Sequence, residues 1–280
     1  MTSLQIGLLC LGIILFLSIC VYLYGSLFEV KKTRIIRFHY HFKQLTKIKK
    51  PINNHQTVKV LFFSDLHIGK ILKGKKLKNK IDFILKQNAD IYLFGGDLIG
   101  YKTAKYFKKQ DIEDLFKRFD DKLCFKVNGN HEFKKEKGIT QEEKDILSLG
   151  MTFKKLENEE TVLTIKNKTF SIIGLQEGQY HQPLLPKNLN ESDYKIVMVH
   201  QGDYFDNING VDIVLSGHTH GGQIRLPFCP PIYNPKHGKK YLKGAYKKNQ
   251  QYLIVSKGIG CNMLNYRFLA PSDIIELYID

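Results

Sequence analysis

The sequence contains little cysteine and no paired cysteine motif. Its 280 residues include five cysteines, an odd number whose members are widely scattered. This pattern does not suggest a disulfide framework and favours a reducing compartment. Internal repeats and low-complexity segments are also lacking. An apolar content of 43% is ordinary for a globular protein, and the length suits one large domain or two small ones.

Negative charge is scarce as well. The chain has 27 acidic residues against 43 Lys and Arg, which gives a formal net charge of +16. The shortage is greatest over residues 31–80, where fifteen basic side chains are accompanied by Asp65 alone. Such a segment favours an anionic partner, which could be a lipid surface, a nucleic acid or a phosphorylated substrate.

One long apolar run lies near the N-terminus. Leu4 to Phe28 is almost uninterrupted, and Gln5 is its only strongly polar side chain. As a helix it would span ~37 Å, enough to cross a hydrocarbon core of ~30 Å with some tilt. A buried core helix and a cleaved signal peptide are the alternatives, but no basic residue precedes the run and no Ala-x-Ala site follows it. We therefore predict a membrane anchor over residues 1–30.

A basic segment follows this anchor. Because positive charge collects on the cytoplasmic side of a membrane, we predict a single-pass protein whose C-terminal domain is cytoplasmic. Residues 31–56 are interpreted as a basic juxtamembrane linker, which either lies on anionic headgroups or is solvated. The residues behind these two predictions are the basic Lys31, Lys32, Arg34, Arg37 and Lys43 and the aromatic Phe38, Tyr40 and Phe42.

From Thr57 onward, short apolar segments typical of buried strands each end in a polar cluster. Helical periodicity between the first of these segments indicates an α/β domain, in which ligands bind at the carboxyl ends of the strands. Each cluster alone could be a helix cap, a turn or a loop histidine, but their joint occurrence predicts one site. The clusters hold Asp65 and His67, then Asp97, then Asn130 and His131, then His200, and finally His218 and His220.

The residue types in these clusters suit divalent cations. Carboxylate, imidazole and amide oxygen together favour Mn, Fe or Zn, and the absence of a cysteine ligand argues against a structural zinc site. One carboxylate can bridge two cations held roughly 3.5 to 4 Å apart. Such a pair clamps a phosphate and lowers the pKa of a coordinated water, which makes hydroxide available near neutral pH.

At these positions the chain resembles the calcineurin-like metallophosphoesterases. The matching motifs are Asp65-x-His67, Gly96-Asp97, Gly129-Asn130-His131-Glu132, His200 and Gly217-His218-Thr219-His220. The extension of the last motif to Ile224, with Lys257-Gly258-Ile259-Gly260 and Tyr266-Arg267-Phe268, is similar to a membrane-associated bacterial branch that includes proteins like UDP-2,3-diacylglucosamine pyrophosphatase. The chain departs from the family at His200-Gln201-Gly202, where relatives commonly have His-x-Pro. His181-Gln182-Pro183 has the proline but no buried strand before it, so His200 is preferred.

The resemblance implies a fold and a ligand set. The fold is a four-layer α/β/β/α sandwich over residues 57–280, behind one N-terminal transmembrane helix. One metal would be held by Asp65, His67, Asp97 and His220. The second would be held by Asp97, Asn130, His200 and His218, with Asp97 as the bridge. His131 would contact the phosphate, while Glu132 either orients its loop or is a solvated carboxylate. Arg225 and Arg267 are candidate contacts for a second phosphate or structural side chains.

The predicted function is metal-dependent hydrolysis of a phosphodiester or pyrophosphate bond with two divalent ions. The substrate is expected at the membrane surface and could be a lipid-linked or nucleotide-sugar diphosphate. A general phosphodiesterase and a phosphoprotein phosphatase are alternatives of the same class. A membrane-tethered binding module for an anionic polymer is an alternative of another class, and no specific nucleic-acid partner is predicted.

Overall fold

The N-terminal apolar run forms a helix that stands apart from the rest of the chain. The computed structural model describes residues 2–100, 102–135, 138–232 and 234–280, so Met1 of the predicted anchor lies outside the described residues. Helix α1, Ser3–Leu23, starts with a capping box between Thr2 and Gln5 and buries none of its side chains. One π turn, Tyr24–Phe28, and one 3-10 turn continue it. The span Ser3–Lys31 contains an 18-residue stretch with a mean hydropathy of 2.8, which suits a membrane-spanning helix and equally a signal sequence.

The larger of two sheets has seven strands in the order β2-β1-β13-β3-β4-β5-β6. Strands β3, β4, β5 and β6 are parallel to one another, whereas β13 runs antiparallel to β3. The strands are β1 Thr33–His41, β2 Gln44–Ile48, β3 Val58–Phe63, β4 Ile91–Phe94, β5 Leu123–Lys126, β6 Lys154–Lys155 and β13 Ser272–Ile279.

The structure differs from the predicted linker over residues 31–56. Strand β1 pairs in parallel with β13, and β2 turns back along β1, so residues 33–48 form one side of the large sheet. Phe38 and Tyr40 point into the core between the sheets and are only 4% and 0% exposed. Arg37, on the opposite face, pairs with the buried Glu276 at 2.6 Å. The physical reason is a period-two alternation of apolar and polar side chains, which the high positive charge of the segment concealed.

The second sheet has six strands in the order β11-β12-β10-β9-β8-β7. Strands β8, β9, β10 and β12 are parallel, and the two outer strands are antiparallel to their neighbours. The strands are β7 Glu159–Ile165, β8 Lys168–Gly174, β9 Tyr194–Met198, β10 Ile213–Ser216, β11 Gly244–Lys248 and β12 Gln251–Val255.

The two sheets pack face to face, which confirms the predicted α/β sandwich. Side chains from both inner faces share one apolar core. Helices cover the outer face of the seven-stranded sheet, whereas the 3-10 helix Gly202–Asn207 and loops cover that of the six-stranded sheet. The helices are α2 Gly74–Leu85, the single turn α3 Thr103–Tyr106, α4 Lys109–Phe116 and α5 Gln141–Leu149. This stacking leaves the carboxyl ends of β3, β4, β5, β9 and β10 at one edge of the molecule.

Candidate metal centre

The predicted ligands lie on the loops at this shared edge, and most of them have strained backbone. Non-glycine residues rarely adopt a positive φ, because their Cβ then approaches the following carbonyl. Such strain persists only where the surroundings enforce it, and it is concentrated at functional sites. Five of the seven predicted ligands have φ between 45° and 71°: Asp65, His67, Asp97, His218 and His220.

Asp65, His67 and His220 form the first group of converging side chains. The Nε2 atoms of the two histidines are 3.0 Å apart, and Asp65 Oδ1 lies 3.6 Å from Nε2 of His220. Asp65 is held in place by the Ser64 hydroxyl and by the backbone N–H of His218, both of which donate to its carboxylate. Gly217 permits this packing, because a Cβ there would lie 2.3 Å from Asp65 Oδ2. The three side chains could hold one metal ion.

Asp97, His200 and His218 form the second group. Asp97 Oδ2 lies 3.3 Å from Nε2 of His200 and also 3.5 Å from Nε2 of His67, so this carboxylate lies between the two groups. The backbone N–H of His131 donates to its other oxygen at 2.8 Å. Gly129 approaches the same oxygen so closely that a Cβ there would lie 2.2 Å from it. This position suits a ligand shared by two ions.

His200 and His218 each use one ring nitrogen for a backbone hydrogen bond, and their other ring nitrogens face each other. Nδ1 of His200 donates to the Gly95 carbonyl at 2.7 Å, and Nε2 of His218 donates to the Lys236 carbonyl at 2.8 Å. In neutral rings the remaining nitrogens are therefore lone pairs, and they lie 3.2 Å apart beside the Asp97 carboxylate. A backbone acceptor on the far nitrogen is how proteins orient metal-binding imidazoles. The donor set therefore fits a divalent cation.

The pKa values of these two histidines move in opposite directions. Burial lowers the pKa of His218 to about 3, which keeps its ring neutral. Burial also opposes the charged form of His200, but the negative charge of Asp97 outweighs it and raises the pKa to about 10. A proton on His200 Nε2 therefore competes with a divalent cation for the place between this nitrogen, Nδ1 of His218 and the Asp97 carboxylate. We expect metal affinity to fall as the pH decreases.

Asn130 and His131 stand on the loop after β5. Asn130 is 6% exposed, and its Oδ1 is a buried acceptor that has no hydrogen-bond partner among the residues that the structure describes. Such an orphaned oxygen is costly, so it indicates a missing ligand rather than a structural amide. The ring of His131 lies 4.5 Å from that of His67, centroid to centroid, and is half-buried. Burial lowers the pKa of His131 to about 4, so the ring is neutral at pH 7.

Glu132 is a buried side chain that ties two ligand loops together. It is 2% exposed and accepts hydrogen bonds from the backbone N–H groups of Asp97, Ile99 and Gly129. The sequence left open whether this carboxylate orients its loop or is solvated, and the structure favours the first. Its position directly after the Gly-Asn-His motif was the only signal in the sequence.

Gln201 holds the loop after β9, where the chain has Gly202 in place of the proline of the common His-x-Pro pattern. It is fully buried, accepts from the backbone N–H of Gly178 and donates to the carboxylate of Glu177. These bonds fix the loop after β9 by side-chain contacts, where a proline would fix it by ring closure. His200 is fully buried beside Asp97, whereas His181 is an exposed residue that contacts Phe133 and Glu177. Sequence reasoning did not anticipate the roles of Gln201 and Glu177.

The two candidate arginines have different surroundings. Arg267 is fully buried, and its guanidinium donates to the carbonyls of Lys257, Gly258 and Ala270. It therefore fixes the loop behind His220 and does not face a substrate. Nη2 of Arg267 lies 3.3 Å from Nδ1 of His220. Arg225 is half-buried on the loop after Gly222, and its role as a phosphate contact stays a prediction.

Comparison with known proteins finds a matching family and several relatives. A family model described as calcineurin-like phosphoesterase matches residues 58–222. The chain is 31% identical to the uncharacterized metallophosphoesterase YkuE of Bacillus subtilis over 225 residues, which cover 77% of each protein. It is 25% identical to the phosphodiesterase YaeI of Escherichia coli over 74% of this chain and 77% of that protein. Among solved structures, the NAD nucleotidase of Haemophilus influenzae is 13% identical with a TM-score of 0.47, over 73% of this chain and 46% of that one.

Proposed function

Because the chain belongs to the calcineurin-like phosphoesterase family, and is therefore a metal-dependent hydrolase, we propose that it cleaves a phosphodiester or pyrophosphate bond at a membrane surface. The observation that supports this most directly is the convergence of one ring nitrogen each of His200 and His218 beside the Asp97 carboxylate, a donor set suited to divalent cations. Carboxylate and imidazole ligands favour Mn, Fe or Zn. The position of the Asp97 carboxylate between the two ligand groups favours two ions rather than one.

The ligands divide between two sites in this proposal. Bound there, divalent cations would supply Lewis-acid stabilisation of the phosphoryl oxygens and a nucleophile derived from water. The chain's own part is to hold the ligands in fixed tautomers, through the carbonyls of Gly95 and Lys236, and to exclude water by burial. Asp65, His67, Asp97 and His220 would hold the first ion, and Asp97, Asn130, His200 and His218 would hold the second.

His131 is the proposed catalytic side chain. Its backbone is fixed by the bond from its N–H to Asp97, and its ring lies against His67 at the edge of the buried ligand set. A neutral, half-buried imidazole there can donate a hydrogen bond to a phosphate oxygen and stabilise the charge that develops on it. Protonation of the leaving group is the alternative use of the same ring.

Exposed apolar loops support a substrate held at a membrane. Phe228 lies on the loop after Gly222, and Met263 and Leu264 lie on the loop that also carries Arg267; all three side chains are largely exposed. The second loop packs against the end of the N-terminal helix through the stacked rings of Tyr22 and Tyr266. Apolar side chains beside an apolar helix suit the interfacial layer of a bilayer. We therefore favour a lipid-linked or nucleotide-sugar diphosphate as substrate.

A general phosphodiesterase is the second candidate, because one relative, YaeI of Escherichia coli, is named as a phosphodiesterase. Product analysis by mass spectrometry after incubation with a panel of lipid diphosphates, nucleotide diphosphates and simple diesters separates the two. Cleavage of diesters alone would remove the membrane substrate from the proposal.

The hydrolase itself is tested with bis-p-nitrophenyl phosphate in the presence of Mn²⁺. Asp97→Ala and His131→Ala should each lower turnover by at least about a hundredfold, since they remove a shared ligand and a charge-stabilising donor. His55→Ala is the matched control, because that histidine is exposed and lies in the turn before β3, at the opposite end of the strand from Asp65. Full activity in both folded site variants would overturn the site assignment.

A further inference from the structure

A cleft of about 540 Å³ lies where the N-terminal helix meets the domain, in the size range of small-molecule sites. Its walls come from the segment that continues α1, from helix α2 with the loop before it, and from the backbone Ile259–Cys261. The inner surface is largely apolar, formed by Val30, Ile71, Leu72, Phe83 and Ile259.

Five lysines line the same cleft, which we call the lysine cleft: Lys31, Lys32, Lys75, Lys76 and Lys80. Within the described residues, none of the five pairs with a carboxylate. The Lys80 ammonium donates to the Lys31 carbonyl at 3.2 Å and to the Thr33 hydroxyl, which are neutral acceptors. Burial, and next the charge of Arg267, lowers the pKa of Lys80 to about 8, so it remains largely protonated at pH 7. The cleft therefore carries uncompensated positive charge around an apolar interior.

The position of the lysine cleft narrows the class of anion that fits it. Ser26 and Val30 lie on the turns that continue the apolar helix, so the cleft is at the end of the span, at the level of lipid headgroups if the helix crosses a membrane. Basic side chains next to a span attract anionic lipid headgroups. A free phosphate would use the lysines alone and leave the apolar wall in water. A phospholipid would use both.

We propose that the lysine cleft binds an anionic phospholipid, with the phosphate between Lys31, Lys75 and Lys76 and the first part of an acyl chain against Val30 and Phe83. The inference rests on the membrane tether of the proposed function but not on the hydrolytic reaction. The cleft is distinct from the metal centre, although they share a wall: Ile259 N donates to the Ser64 carbonyl and Gly260 N to the Asp65 carbonyl.

The test uses the full-length protein purified in a neutral detergent. Phosphatidylglycerol, phosphatidylcholine and inorganic phosphate are offered in turn, and retained lipid is counted by native mass spectrometry while affinity is measured by titration. We expect the protein to bind phosphatidylglycerol. The double variant Lys75→Gln/Lys76→Gln should weaken this binding by at least about tenfold, because it removes two of the three lysine charges proposed to contact the phosphate. Phosphatidylcholine should bind far more weakly.

The matched control is Lys187→Gln/Lys239→Gln, which removes the same charge from two exposed lysines elsewhere on the surface. It should bind phosphatidylglycerol as the unchanged protein does. Equal lipid retention in the two double variants would overturn the proposal, as would inorganic phosphate competing as well as the lipid does. Hydrolysis of bis-p-nitrophenyl phosphate by the same samples separates this inference from the proposed function: the Lys75/Lys76 variant should keep its metal-dependent activity, and Asp97→Ala should keep its lipid.

Discussion

At the scale of single residues, the metal centre depends on side chains that fix its ligands as much as on the ligands themselves. Glu132 accepts hydrogen bonds from the N–H groups of three residues on two loops, and one of these residues is Asp97, the proposed shared ligand. Ser64 and the N–H of His218 do the same for Asp65. Because most ligands have strained left-handed backbone, such bonds supply the free energy that keeps the loops in place.

Glu132→Gln should therefore destabilise the protein by about 1–3 kcal/mol, since an amide has one acceptor oxygen and would leave a buried N–H without a partner. We also expect lower turnover, because Asp97 loses part of its support. Urea denaturation and hydrolysis of a diester measure the two effects. Glu142→Gln, at an exposed position on α5, is the matched control. Equal stability of both variants would show that Glu132 does not hold these loops.

At the scale of elements, the N-terminal segment is joined to the domain at two places. Strands β1 and β2 complete the large sheet beside β13. The end of the apolar helix packs on the loop after Cys261, where the Glu29 carboxylate accepts from the Ala270 N–H and the ring of Tyr22 stacks on Tyr266. The same loop carries Arg267, which lies against His220. The helix is thus coupled structurally to the back of the metal centre.

Two truncations test this organisation. A protein that starts at Glu29 keeps β1 and β2 and should fold as a soluble domain. A protein that starts at Lys49 loses both strands, exposes Ile275 and Leu277 of β13, and removes Arg37 from the buried Glu276. We expect a loss of more than about 4 kcal/mol of stability, or aggregation, because β13 loses its backbone partner along one edge and apolar side chains become exposed; Glu276 also loses one ion-pair partner, although it keeps Lys59.

Thermal unfolding followed by circular dichroism, together with the soluble fraction on expression, compares the two proteins. The protein starting at Glu29 is the control, since it lacks the apolar helix but not the strands. If the protein starting at Lys49 unfolded at the same temperature, residues 31–48 would be a linker after all.

At the scale of the whole molecule, the metal centre joins the two sheets. Asp65, Asp97 and Asn130 follow strands of the seven-stranded sheet, whereas His200 and His218 follow strands of the six-stranded sheet. A cation shared between them would connect the halves of the sandwich at the carboxyl edge, where acceptors otherwise face one another.

Metal removal should therefore lower the melting temperature of the entire protein. With Mn²⁺ well above its dissociation constant, we expect a midpoint about 5 °C or more higher than with a chelator, by preferential binding to the folded state. Differential scanning calorimetry measures the shift. Asp97→Ala should abolish most of it, because this variant lacks the shared carboxylate. A shift of the same size in that variant would place the stabilising ions elsewhere.

The direction of the chain across the membrane is a separate prediction. Basic residues follow the apolar helix and none precedes it, so the domain should be cytoplasmic. A reporter fused after Asp280 should be active on the cytoplasmic side, and mass spectrometry of the protein extracted from membranes should recover the helix uncleaved. A reporter active on the outer side would overturn the predicted orientation, and loss of the first thirty residues would identify the helix as a signal sequence.

The sequence by itself determined the α/β class and the order of the polar clusters, because buried strands are apolar runs and metal ligands need particular side chains. It also pointed to the family, through short motifs in which every residue type has a chemical reason. It could not determine that residues 33–48 join the sheet, since a strand at that position depends on the partner β13 more than two hundred residues later. Nor could it determine the buried roles of Glu132, Gln201 and Arg267. Those roles follow from which backbone groups lie beside each side chain, and only the packing of two sheets on one another decides that.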